Sequence, residues 1–195
     1  MKRVLFGTML LVLAVVAPIP TMAQVGINGR ITVPPPIAFK APPDVIVIPD
    51  TNDVYVVPYI DADLFFWNGL WWRLWEGRWY RSRYYNRGWA YYNGVPSFYF
   101  DVDPGWRGYY RDRSWHGHRW TYERIPHRNL QRNWQTWHNN QHWESQRTWD
   151  VQGYQPRPKQ QRQELRRERQ QQYHERPEAQ EHHPQRPHQG EHQER

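Results

Sequence analysis

Rings rather than aliphatic chains must build any core this sequence makes. Beyond Asp63 the aliphatic residues are sparse, yet the chain carries 13 Trp and 13 Tyr. Its mean hydropathy is nevertheless −1.06. Each ring can bury about 150–250 Å², so a small ordered domain is within reach. The rings fall in short runs punctuated by turn signals. Asn68-Gly69 and Asn93-Gly94 are two-residue hairpin signatures, because a type I′ turn needs positive φ at both central residues. Glu76-Gly77 and Asn86-Arg87-Gly88 are weaker versions. The runs between them suit a pleated surface. They predict strands over Val54–Tyr59, Leu64–Trp67, Leu70–Trp75, Arg78–Tyr84, Trp89–Tyr92 and Val95–Phe100. The expected fold class is mainly β: a small antiparallel meander of short hairpins rich in Trp and Tyr, then an α-helical extension and a disordered tail.

The flanks set the organisation. Lys2 and Arg3, the apolar run Val4–Val16, Pro18, Pro20 and Thr21-Met22-Ala23 read as a secretory signal peptide over residues 1–23. Cleavage is expected before Gln24. The run is too short to span a bilayer, which needs roughly 20 residues, so no integral membrane segment is expected after cleavage. Removing Lys2 and Arg3 lowers the formal charge from +7 to +5. With no cysteine, lipid attachment at a mature N-terminal cysteine, disulfides and cysteine-based zinc sites are excluded. Residues 24–53 form a proline-rich extended lead with one short strand at Val45–Ile48. Residues 54–122 are the aromatic β domain. Residues 123–154 carry Leu130, Trp134, Trp137 and Gln141 at helical spacing after a candidate N-cap, Asn129. Residues 155–195 are a Gln/Arg/Glu/His/Pro tail, with a solvated helix predicted over Gln160–Tyr173 and disorder from Pro177.

Two relationships appear within the aromatic region. Tyr59-Ile60-Asp61-Ala62-Asp63 recurs as Tyr99-Phe100-Asp101-Val102-Asp103, and Trp67, Gly69 and Arg73 have counterparts in Trp106, Gly108 and Arg111. This predicts a duplicated unit, about 59–80 and 99–120. The stretches Phe66-Trp67-Asn68-Gly69-Leu70-Trp71, Leu74-Trp75-Glu76-Gly77-Arg78-Trp79 and Tyr85-Asn86-Arg87-Gly88-Trp89 resemble the Trp/Tyr-x-x-Gly-x-Trp motif. That motif marks bacterial exported WxxGxW or YxWGxW repeat proteins. The first position is Phe or Leu in two copies and the third copy lacks one spacer. The resemblance implies an envelope location. It implies no chemistry, because the family has no settled activity.

Three groups of residues carry candidate chemistry. Trp71, Trp75, Trp79, Tyr80 and Tyr84 interleave with Arg73, Arg78, Arg81 and Arg83. Exposed rings stack on sugars or bases, and flanking guanidinia fork onto carboxylate, sulfate or phosphate. The competing reading is cation–π decoration of a self-contained fold. His116 with His118, and His138 with His142 at i, i+4, are candidate divalent-metal ligands, with more histidines in the tail. The pairs Asp61/Asp63 and Asp101/Asp103 put carboxylates on one strand face, as a glycoside hydrolase or a strand-end charge pair would. Nucleophile-elbow, zincin, phosphate-loop, Rossmann and haem motifs are absent, as is any known nucleic-acid motif. The sequence therefore predicts a non-enzymatic, cofactor-free exported protein, periplasmic or secreted. Its expected partner is an anionic surface polysaccharide or an envelope protein. A periplasmic metal-binding protein is the alternative, and a hydrolase using an aspartate pair is a weaker one.

Overall fold

The computed structural model describes residues 33–146 and 149–175. The expected signal peptide and the tail from Pro177, with four of its histidines, lie outside the described residues. Six strands form one antiparallel sheet: β1 (Ile46–Val47), β2 (Tyr55–Val56), β3 (Asp63–Trp67), β4 (Leu70–Trp75), β5 (Arg78–Ser82) and β6 (Ala90–Tyr92). Each strand pairs with the next in sequence, so the sheet is a simple meander. The two central hairpins turn at Asn68-Gly69 and Glu76-Gly77, whose φ angles are 48°, 75°, 47° and 69°. That is the double positive φ a two-residue turn demands. The registers Trp67↔Leu70 and Trp75↔Arg78 close them.

The segment Val95–Phe100 is not the sixth strand of the expected set. Pro96 has no N–H to offer a ladder, and Ser97–Phe100 coil into a 3-10 helix instead. Gly94 keeps a positive φ of 109°, but no strand returns after it. Next come α1 (Trp106–Asp112), a small hairpin of β7 (Ser114–Trp115) and β8 (His118–Arg119), α2 (His127–Asn139), α3 (His142–Gln146) and α4 (Lys159–Glu175). Helix α2 starts earlier than expected: its N-cap is Pro126, three residues before Asn129.

Both faces of the sheet are buried, and this decides where the rings go. Alternate residues of a strand point to opposite faces. Leu64, Phe66, Trp71 and Tyr80 face one core, joined by Leu130 of α2 and Trp143 of α3. Phe65, Trp72 and Trp79 face a second core, closed by Phe98, Trp106, Trp115 and Trp120. The tryptophans that were too numerous for one side of a small sheet are shared between two. The supposed lead also joins the domain: Val45 to Thr51 are all buried, as is Asp53, and Val45 bridges to Ile125. Ile37 and Phe39 pack on the first core.

The two sequence copies fold differently. Trp67 and Gly69 sit in a strand and its turn, whereas Trp106 and Gly108 lie on α1. Trp75-Glu76-Gly77 and Trp115-His116-Gly117, which also recur 40 residues apart in the sequence, do keep the same hairpin geometry, with His116 at φ 47° and Gly117 at 87°.

Candidate functional site

The ring-and-arginine face expected on β4 and β5 is largely interior. Trp71, Trp79 and Tyr80 are at most 1% exposed. Trp75 is half-buried against Tyr80, with ring centroids 6.0 Å apart. Arg73 is buried too, and its guanidinium donates to the Pro35 carbonyl from the lead. Burial without a carboxylate partner pulls the Arg73 pKa below its usual value. Among the expected residues only Tyr84, Arg81 and Arg83 are exposed, with Arg78 half-buried. Arg81 lies over Tyr92 and Arg87 over Tyr84, 5.4 and 4.6 Å from the ring centroids. These two cation–π contacts are peripheral, whereas Arg107 lies over the buried Trp106 ring, 4.5 Å from its centroid. Arg78 and Trp79 do meet Tyr91, Tyr92, Phe100 and Tyr173 around a cleft of about 230 Å³.

Neither histidine pair converges on a shared point. His116 and His118 would share a face only in an extended strand. His116 instead occupies the first turn position, where Nε2 lies 2.8 Å from Arg157 and 3.2 Å from Asp103. His118 Nδ1 lies 3.3 Å from the Gln152 carbonyl. The i, i+4 geometry of His138 and His142 fails because α2 ends at Asn139 and Gln141 takes φ 50°. His138 Nδ1 lies 2.7 Å from Asp53, while His142 stacks on Trp137 with centroids 5.8 Å apart. Among the described residues no three His, Asp or Glu side chains converge as ligands. Burial pushes the Asp53 carboxyl up to about 6, against the opposing pull of His138.

Three of the four paired aspartates are taken up by arginines distant in sequence, while the Asp61 side chain is exposed. Asp63 accepts from Arg107 at 2.7 Å, and Arg107 also donates to the Ile60 and Ala62 carbonyls at 3.0 Å. Asp101 is held by Arg166, and Asp103 by Arg169 and His116. Burial raises the Asp101 carboxyl in spite of Arg166 and Arg169.

The site that sequence reading missed is a groove of about 430 Å³ beside the β7–β8 hairpin, lined by Arg113, Arg119, Trp120, Thr121, Tyr122 and Arg124. Arg113 ends α1 in the left-handed conformation, at φ 50°, and turns the chain into the hairpin. Its carbonyl accepts from Trp120 N at 2.8 Å, fixing the two rims together. Trp120 is fully buried and donates from Nε1 to the Trp149 carbonyl at 2.9 Å, so the floor is rigid. The Tyr122 ring lies on Tyr110 and Trp120, at 4.7 and 5.4 Å between centroids. Burial raises the Tyr110 phenol, and its contact with Tyr122 adds to the rise while Arg124 opposes it. No carboxylate lines the groove, and none of its three exposed arginines pairs with one among the described residues. The only early signal was the density of arginine from Arg107 to Arg124.

The molecule is thus an antiparallel meander with aromatic cores on both faces and an exposed arginine groove at one flank. No protein-family model, no curated protein and no solved structure matches the chain. Among the described residues no helix is long and apolar enough to cross a membrane.

Proposed function

We propose that this chain is a non-enzymatic exported protein of the bacterial envelope, periplasmic or secreted, that binds an anionic surface polysaccharide. The observation that carries the reading is the Arg113/Arg119/Arg124 groove. Its guanidinia have no carboxylate partners among the described residues, stand over an aromatic floor, and lie on a chain of net positive charge. Guanidinium forks match carboxylate, sulfate and phosphate, and the rings beside them stack on sugar faces. The polymer-contacting residues are then these arginines with Tyr122, in place of the interior Trp71, Trp79, Tyr80 and Arg73. The engagement of Asp63, Asp101 and Asp103 by arginines favours a structural role for the aspartate pairs over an acid–base one.

The test is a tryptophan-fluorescence titration of residues 24–195 with polygalacturonate and, as a neutral control, dextran. Saturable binding to polygalacturonate that weakens with salt is expected, because exposed charge pairs are screened over about 10 Å at 0.1 M. Arg113→Gln with Arg119→Gln and Arg124→Gln should cost at least tenfold in affinity, roughly a bidentate guanidinium contact. Equal binding of dextran, or no binding of either polymer, would refute the reading.

A further inference from the structure

Helix α4 buries none of its residues, yet it lies against the body of the protein along one stripe. Arg162, Arg166, Arg169 and Tyr173 recur at i, i+4, i+7 and i+11, the spacing of a docking face written with charges in place of apolar groups. Opposite them is an acidic seat. Arg162 reaches Glu144. Arg166 contacts both Asp101 oxygens, at 3.3 and 3.2 Å. Arg169 donates to the Phe100 and Asp101 carbonyls, at 3.2 and 3.1 Å, and to Asp103 at 3.4 Å. It thereby satisfies carbonyls that the short 3-10 helix leaves open at its C-terminal end. Just upstream, Arg157 lies 3.5 Å from Asp50 and 3.8 Å from Asp103. Tyr173 adds an aromatic contact, edge-on to Phe100 with centroids 5.9 Å apart.

An element held this way differs in kind from one held by a core. The paired side chains are 6–40% exposed, so water and salt compete for them. Closing α4 also covers Asp101, and burial there raises its carboxyl pKa against the pull of Arg166, Arg169 and Arg162. A polyanion offers the same arginines a row of negative groups without that burial. Along the helix axis the three arginines follow one another at about 6 and 4.5 Å, a row suited to a charged chain.

We propose that α4 is a detachable polyanion-binding arm: its Arg162/Arg166/Arg169 stripe is masked by the seat of Glu144, Asp101 and Asp103, and a carboxylated or sulfated polymer draws it off. This rests on the anionic-polymer reading above and adds a second contact surface to the groove. Release also uncovers Phe100 and opens the cleft that α4 walls with Tyr173.

The seat can be discharged without touching the stripe. Asp101 and Glu144 make side-chain contacts to α4 arginines, so Asp101→Asn with Glu144→Gln frees the arm. The chain has no cysteine, so Asn93→Cys with Gln171→Cys gives a clean pair of label sites. Both native residues are exposed. Saturating polygalacturonate should lengthen the label distance, dextran should not, and the Asn/Gln seat variant should show the long distance without polymer. The same variant should bind polygalacturonate about threefold to tenfold more tightly, because the masked fraction no longer taxes binding. Unchanged or weaker affinity of the seat variant, or a label distance fixed at saturation, overturns the arm. If the groove arginines still govern binding in that case, the polymer reading stands without it. No binding by any variant overturns both.

Discussion

Helices α2 and α4 both lie on the outside of the same domain, and they are attached by opposite physics. Helix α2 inserts Leu130 fully into the first core and lays Trp134 and Trp137 against Phe66 and Tyr55, with centroids 6.0 and 6.2 Å apart. Helix α4 has no buried residue and rests on guanidinium–carboxylate pairs. Apolar burial contributes about 25 cal/mol per Å² and is not screened by salt. Exposed ion pairs contribute about 0–1 kcal/mol each and fade as salt is added. One helix is therefore part of the fold and the other is an attachment to it.

The comparison breaks first at Leu130. Leu130→Ala should cost about 2–5 kcal/mol by denaturant unfolding, as a fully buried leucine does, and the loss should be the same in 0.05 M and 0.5 M salt. A loss under 1 kcal/mol would mean that α2 is as detachable as α4. The Asp53–His138 contact sharpens the picture on the same side, since it joins α2 to the β1–β2 turn. The Asp53 carboxyl is raised from 3.8 to about 6. Its contribution to stability is complete below pH 3.8 and is lost as pH rises through about 6. At 1.36 kcal/mol per unit the swing is about 3 kcal/mol. Asp53→Asn should remove that swing, so the variant gains on the native protein between pH 4 and pH 7. An unchanged difference between the two at both pH values would contradict it.

Smaller effects follow at Gly69 and on α4. At φ 75° a Cβ on Gly69 would sit 2.6 Å from the Trp134 ring. Gly69→Ala should cost about 1–2 kcal/mol from the backbone alone, plus whatever Trp134 yields, visible as a lower midpoint of thermal unfolding. The smallest expected loss is for Arg166→Ala: about 0.2–1 kcal/mol at low salt and none measurable in 0.5 M salt. A loss that persisted in salt would place α4 with α2.

The meander was legible because its signals are local. Asn68-Gly69 and Glu76-Gly77 fix two hairpins through φ alone, and the ring-rich runs beside them suit a pleat. The 3-10 helix after Pro96 was legible in principle, since the proline that denies a strand was in view. Two faces of burial were not. Alternation says that Trp71 and Trp72 point apart, but nothing in the sequence says that α2 covers one and the Trp106–Trp120 segment the other. The expectation of exposed platforms at Trp71, Trp79 and Tyr80 failed on that point. The groove arginines were hidden for the same reason: they differ from Arg107 or Arg169 only in lacking a carboxylate opposite them.

By itself the sequence determined the aromatic character of the core, the order of the hairpins and the helical spacing of α2. These depend on neighbours one to four residues apart. Tertiary structure alone decided which rings are reachable, that His138 meets Asp53 and not His142, and that Asp101 and Asp103 are claimed by arginines more than 60 residues away. Burial and charge pairing are properties of distances through space, and chain spacing does not encode them.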